Sequence, residues 1–154
     1  MRMSNNARDY CRCVLQATFA VVLLIAAVVA NADEQIEANT KTVIQISSGD
    51  AATQELVLNN TANLQKELGM DNVEIEIVAF GPGLEMLTIN SPFRDRVESM
   101  ASQNIRFSAC ENTMAAIERK TGEKPELASG VNTVSSGIAR IVELQKQGYT
   151  YVRP

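Results

Sequence analysis

The chain has 154 residues with 14 Lys and Arg against 18 Asp and Glu, three Cys, no Trp and no His. Without His, neither Cys-His nor Ser-His-Asp catalysis nor an imidazole proton relay is available. The acidic balance gives no electrostatic attraction for nucleic acid or anionic lipid, and the few aromatics are not interleaved with Lys or Arg as a base-stacking surface needs.

The first 32 residues differ from the rest. Arg2, Arg8 and Arg12 precede the uncharged run Val14 to Ala30, which closes with Ala30-Asn31-Ala32 before Asp33 and Glu34. A basic start, an apolar centre and small residues at the cleavage positions predict a secretory signal peptide over 1–32, cut after Ala32, and hence a periplasmic protein with no membrane attachment once the leader is gone. An uncleaved anchor is the competing reading, because the run is only slightly short of spanning length. Removing Arg2, Arg8 and Arg12 from the 14 basic residues and Asp9 from the 18 acidic ones leaves 11 against 17, a net charge of −6. Cys11 and Cys13 leave with the leader, so Cys110 is the one thiol expected in the mature chain. One thiol forms no intrachain disulfide and no Cys-x-x-Cys redox pair. It also leaves no usual zinc site, and no Asp-rich loop suggests Mg or Ca. Neither metal nor cofactor is expected.

A polar linker over 33–41 leads into one domain over 42–154. Thr42 to Ser47 is short and β-branched, and reads as a strand. Thr53 to Leu68 carries Val57, Thr61, Leu64 and Leu68 on one helical face and stops at Gly69. Val73 to Phe80 alternates at first, which puts Glu74 and Glu76 on a wet face, and ends continuously apolar. Gly81-Pro82-Gly83 turns into a short helical piece near Leu84 to Ile89. Ser91-Pro92 then predicts an N-cap and first-turn proline for a helix with Phe93, Val97, Met100 and Ala101 inward. Ile105 to Ala109 is the third strand, Glu111 to Lys120 a helix ended by Gly122, and Val131 to Val134 the fourth strand. Ser135 or Ser136 caps a last helix with Ile138, Ile141, Val142 and Gln145 on one face, and Tyr149 to Arg153 closes as a fifth strand. This alternation predicts a three-layer α/β/α sandwich on a mainly parallel five-stranded sheet.

In such a sheet ligands sit beyond the carboxyl ends of the strands. The segments leaving those ends are Ser47-Ser48-Gly49-Asp50, Gly81-Pro82-Gly83, Cys110-Glu111-Asn112-Thr113 and Ser135-Ser136-Gly137. Cys110 falls at a strand-to-helix junction, where first-turn amides near Asn112 and Thr113 favour a thiolate. The alternative is a small buried hydrophobe. Gly81 and Gly83 open a poor dinucleotide fingerprint, with Met86 in the place of its third glycine. Ser48 and Gly49 lack the Gly-Lys-Ser/Thr ending of a P-loop, and Ser48 and Asp50 fit turn and cap hydrogen bonds better than phosphate contacts. Asn59, Asn60 and Asn63 fit a solvated face or a subunit contact better than a ligand site.

With these elements placed, the segment Thr42 to Pro154 resembles the DsrE/DsrF-like family of sulfur-relay proteins, and in particular its exported members. The residues that carry the likeness are SSGD after the first strand, LVLNNTANLQKELG in the first helix, VEIEIVAFGPGLEML through the second strand, IRFSACENTM around the thiol, and the ending GYTYVRP. The resemblance implies a domain that assembles into homotrimers or hexamers. It also implies a cysteine after the third strand that carries sulfur as a persulfide in the cytoplasmic members, and Cys110 holds that place. A persulfide carrier needs no His and no second Cys, because sulfur arrives from one partner thiol and leaves to another. The expected function is binding or transfer of sulfane sulfur on Cys110, with Ser48, Gly49, Gly81, Gly83, Asn112 and Thr113 as candidate binding residues and a donor or acceptor protein as partner. A non-catalytic oligomeric binding module and a thiol redox sensor are the alternatives.

Overall fold

A computed structural model describes residues 40–154. The predicted signal peptide, its cleavage point, Cys11, Cys13 and most of the linker lie outside the described residues. Five strands, β1 (Thr40–Ile46), β2 (Val73–Ala79), β3 (Ile105–Cys110), β4 (Val131–Val134) and β5 (Thr150–Val152), form one sheet in the order β4-β3-β2-β1-β5. All four pairings are parallel, in register from Thr40 opposite Val73 to Cys110 opposite Val134. The helices are α1 (Ala51–Leu68), α2 (Arg94–Ala101), α3 (Glu111–Thr121) and α4 (Gly137–Lys146), with a 3-10 turn over Gly81–Leu87.

The chain steps from β1 to β4 in one direction across the sheet, so right-handed crossovers put α1, the 3-10 turn, α2 and α3 on the same face. There Ile44, Ile46, Ile75, Ile77 and Phe107 meet Val57, Leu58, Leu84, Val97 and Met114 in the main core. Each such side chain stabilises the fold by about 1.5–3 kcal/mol when fully buried. The return from β4 to β5 runs the other way and puts α4 alone on the opposite face, where Ile141 and Leu144 pack on Val43, Val78 and Tyr149. The predicted three layers are present, and they are unequal.

The element ends follow local chemistry. Asp50 caps α1 by accepting from Thr53 N at 2.8 Å, and that hydrogen bonding holds its carboxyl below the usual range. Ser136 caps α4 by accepting from Ala139 N at 3.4 Å. Gly122 ends α3 in the left-handed region at φ 86°, which suits a residue without Cβ.

Three expectations need correction. Ser91 and Pro92 do not open a helix: Ser91 Oγ accepts from Phe93 N at 3.1 Å in a turn, and α2 begins at Arg94 without a side-chain cap. The buried face of α4 is Gly137, Ile141 and Leu144, while Ile138 is 55% and Val142 46% exposed. Glu76 is not on a wet face and is 1% exposed. The last two share one cause. The sheet face under α4 carries Glu76 and Ser108, so the helix turns Arg140 inward to meet them and rotates Ile138 and Val142 out.

Candidate functional site

Cys110 ends β3 and caps α3. From β3 the chain leaves toward the face that carries α3, and from its neighbour β4 it leaves toward the face that carries α4. Adjacent strands whose connections diverge in this way open a crevice at their carboxyl ends. Cys110, paired with Val134, stands at that divergence.

Two helix N-termini converge on the sulfur. The backbone N–H groups of Asn112 and Thr113 in α3, the Thr113 hydroxyl, and the backbone N–H of Gly137 at the start of α4 lie around it as donors that favour its anion. Burial raises the pKa of the thiol, and these four donors outweigh it, so the net shift is below the ordinary thiol value. The Thr113 hydroxyl is itself supported, because Thr113 Oγ1 accepts from Gly81 N at 3.0 Å. Both first-turn amides expected near Asn112 and Thr113 contribute to the lowered pKa. The Gly137 donor was not foreseen among the site residues; the Ser135-Ser136-Gly137 turn at the same sheet edge was its only signal in the sequence. Cys110 is 5% exposed, so the thiol is buried rather than open at the sheet edge.

The other candidate residues gather at the same edge in supporting roles. Ser48 Oγ accepts from Asp50 N at 3.1 Å, and Ser48 O accepts from the buried Gln54 side chain at 3.1 Å, so this segment forms a turn and a cap. A Cβ on Gly49 would lie 3.2 Å from Pro82 Cβ, and one on Gly83 would lie 2.5 Å from Ile46 O. These glycines let the β1 and β2 exits pack together, and Gly81 reaches the thiol through Thr113. A pocket of about 520 Å³ beside Gly81 and Thr113 is lined mainly by apolar groups, including Leu84, Ile117 and Pro125, with Lys120 among its wall residues. Another of about 510 Å³ lies at the amino ends of the strands, near Asn104 and Arg106, away from Cys110. Asn59, outside this site, accepts from Arg96 Nη2 at 2.8 Å and ties α1 to α2.

The model of the DsrE/DsrF-like family matches residues 40–154. The chain belongs to the DsrE/DsrF-like family. Among solved structures, this DsrE/DsrF-like domain is similar to MTH1491, a protein of unknown function from Methanobacterium thermoautotrophicum, at 34% identity and a TM-score of 0.68, covering 75% of this chain and 99% of that one. The ychN protein of E. coli shares the fold at 14% identity and a TM-score of 0.58, over 75% of this chain and 99% of that one. The protein of unknown function BT1422 from Bacteroides thetaiotaomicron shares it at 18% identity and a TM-score of 0.51, over 79% and 100%. No curated protein matches the chain. No helix among the described residues is long and apolar enough to cross a membrane.

Proposed function

We propose that this DsrE/DsrF-like protein is an exported, periplasmic carrier of sulfane sulfur, held as a persulfide on Cys110. The observation that carries this reading is the placement of Cys110 at the junction of β3 and α3 with four donors around its sulfur, which shifts the thiol toward its anion. In the loading step the Cys110 thiolate attacks the outer sulfur of a donor persulfide, R–S–SH. The Cys110 S–S bond forms, the donor S–S bond breaks, and the donor leaves as a thiolate, while the transferred outer sulfur keeps its proton to give Cys110–S–SH. Sulfur is delivered by the reverse exchange, in which an acceptor thiolate attacks the outer sulfur and Cys110 leaves as thiolate. No net oxidation occurs and no His is required. The Asn112, Thr113 and Gly137 donors stabilise Cys110 as nucleophile and as leaving group.

Because Cys110 is 5% exposed, the turn around Gly137 must yield for a donor to enter. The same burial favours the second reading, an oligomeric binding module in which Cys110 only packs. Incubating the folded protein with polysulfide and measuring its intact mass separates them. A gain of one sulfur atom, absent in Cys110→Ser, supports the carrier. No gain until the protein is unfolded overturns it in favour of packing, and a gain of oxygen alone after mild peroxide points to a redox sensor. The homo-oligomer belongs to the same proposal: Ile138 and Val142, exposed side by side on α4, offer apolar surface for a second copy. Sedimentation showing only monomer at micromolar concentration overturns it.

A further inference from the structure

The sheet face under α4 holds a charged network that the sulfur chemistry does not use. Glu76, 1% exposed, accepts from Arg140 Nε at 2.8 Å through Oε1 and from Arg140 Nη2 at 2.9 Å through Oε2. Ser108 Oγ donates to Oε1 at 2.8 Å and Arg106 Nε to Oε2 at 3.2 Å. Around this core, Tyr149 Oη donates to Glu74 at 2.6 Å and accepts from Arg106, Lys41 lies 3.7 Å from Glu74, and Arg140 Nη1 donates to Glu143 at 3.0 Å. Two carboxylate oxygens thus meet two guanidinium nitrogens in the paired arrangement that fixes a side chain in direction as well as distance.

The grip matters because of where Arg140 sits. Its backbone N–H donates to Ser136 O at 3.0 Å, the first hydrogen bond of α4. The adjacent Gly137 lies beside Cys110, because Cys110 pairs with Val134 and the chain enters α4 three residues later, and its N–H favours the thiolate. The second half of α4 is anchored by Ile141 and Leu144 in an apolar cluster. The first turn has little apolar anchorage, since Ile138 is turned to solvent and Gly137 offers only backbone against Phe80.

We propose that Glu76 is a positioning residue for the sulfur site: by holding Arg140 at two points it fixes the first turn of α4, and so places the Gly137 amide on the Cys110 sulfur. This rests on the reading of Cys110 as a working thiolate, and it predicts a sign that simple charge effects do not. Glu76→Gln removes a negative charge from the neighbourhood of Cys110, which by relief of Coulomb repulsion alone would lower the thiol pKa. Loss of the Gly137 donor raises it.

The test is the pH midpoint of Cys110 alkylation by iodoacetamide in the folded full domain, with Cys110→Ser as blank. Glu76→Gln and Arg140→Lys should each raise the midpoint by about half a unit, a roughly threefold slower labelling near neutral pH. Arg106→Gln, which touches Glu76 from β3 and holds nothing on α4, should leave it within about 0.2 units. Faster exchange of the Gly137 amide hydrogen in the first two variants reports the loosened turn directly. A midpoint that falls in Glu76→Gln, or that moves equally in Arg106→Gln, overturns the proposal. If Glu76→Gln does not fold, Arg140→Lys, which keeps the charge and loses the two-point grip, decides it alone. Polysulfide loading read on the same samples keeps the two ideas apart. An upward shift without any sulfur uptake in the wild type leaves the positioning role standing and removes the carrier, whereas uptake with unmoved midpoints does the reverse.

Discussion

Gly81 N–H donates to Thr113 Oγ1 at 3.0 Å, and the same hydroxyl is among the groups that hold the Cys110 thiol below its ordinary pKa. The turn after β2 is thereby joined to the thiol at the end of β3. A hydroxyl that accepts from an amide is polarised as a donor, so the pair acts as a short relay. Thr113→Val keeps the shape and removes both bonds. We expect a higher Cys110 labelling midpoint and a loss of about 1 kcal/mol in urea unfolding from the orphaned Gly81 N–H. Thr113→Ser should restore the midpoint. A midpoint unmoved in Thr113→Val would show that the backbone donors suffice.

Gly137 should tolerate no side chain. A Cβ there would lie 2.8 Å from Phe80 Cδ1 and 3.2 Å from Phe80 Cβ, so the ring or the first turn of α4 must shift. Gly137→Ala is expected to destabilise by about 1–3 kcal/mol, as overpacking does, although Ala is the better helix former. It should also slow Cys110 alkylation near neutral pH by withdrawing the amide donor. Adding Phe80→Leu should recover part of the stability, and a double-mutant cycle measures the coupling. Independent, additive effects would place the strain elsewhere.

Much of this was legible in the sequence, and the gaps have physical reasons. Short β-branched runs, the Gly122 stop and the Cys110-Glu111 junction are local signals, and local rules read them. Glu76 was misread because a carboxylate alternating with Val and Ile looks like a solvated strand face. Its partners, Arg106, Ser108 and Arg140, come from β3 and α4 and meet it only in the folded sheet. The rotation of α4 failed for the same reason: an apolar stripe through Ile138 and Val142 is outvoted by an ion pair that periodicity cannot register. The Gly137 donor depends on which way the chain leaves β4 relative to β3, a property of topology. The thiol's place at the carboxyl edge was readable, and its closure by a second helix was not.

Gly83 answers whether the Gly81-Pro82-Gly83 turn is built for a ligand or for packing. A Cβ on Gly83 would stand 2.5 Å from Ile46 O, 2.7 Å from Ile46 C and 2.9 Å from Ser47 Cα. All three are backbone atoms of the β1 exit and have little freedom to move. Gly83→Ala should therefore cost about 3 kcal/mol, at the upper end of overpacking effects, with no change in the Cys110 labelling midpoint of whatever fraction stays folded. Gly49→Ala, with Pro82 Cβ at 3.2 Å, should cost about 1 kcal/mol because a side-chain atom can give. Equal and small effects at both positions would return Gly83 to the list of ligand contacts.

Acid should loosen the α4 face, and the sign follows from Glu76. Burial raises its pKa, but hydrogen bonds from Arg140 and Ser108 and the charges of Arg140 and Arg106 outweigh it, so the folded value lies below the ordinary 4.5. A carboxylate depressed in the folded state contributes its full stability above the unfolded pKa, and loses it as pH falls through the folded one. Glu74 shifts the same way, chiefly through the Tyr149 hydroxyl, and Asp50 through Thr53. A wild-type stability curve alone would therefore mix three groups. Glu76→Gln resembles the protonated state of one of them. At pH 7 it should be less stable than wild type by about 2 kcal/mol, under the roughly 3–5 kcal/mol of a fully buried pair because Arg140 and Arg106 reach solvent. Below pH 4.5 the gap should narrow with each further fall in pH, read from urea midpoints of the two proteins across the range. A gap that stays constant from pH 7 downward would mean that Glu76 has the same pKa folded and unfolded, so that the lost stability comes from packing rather than charge.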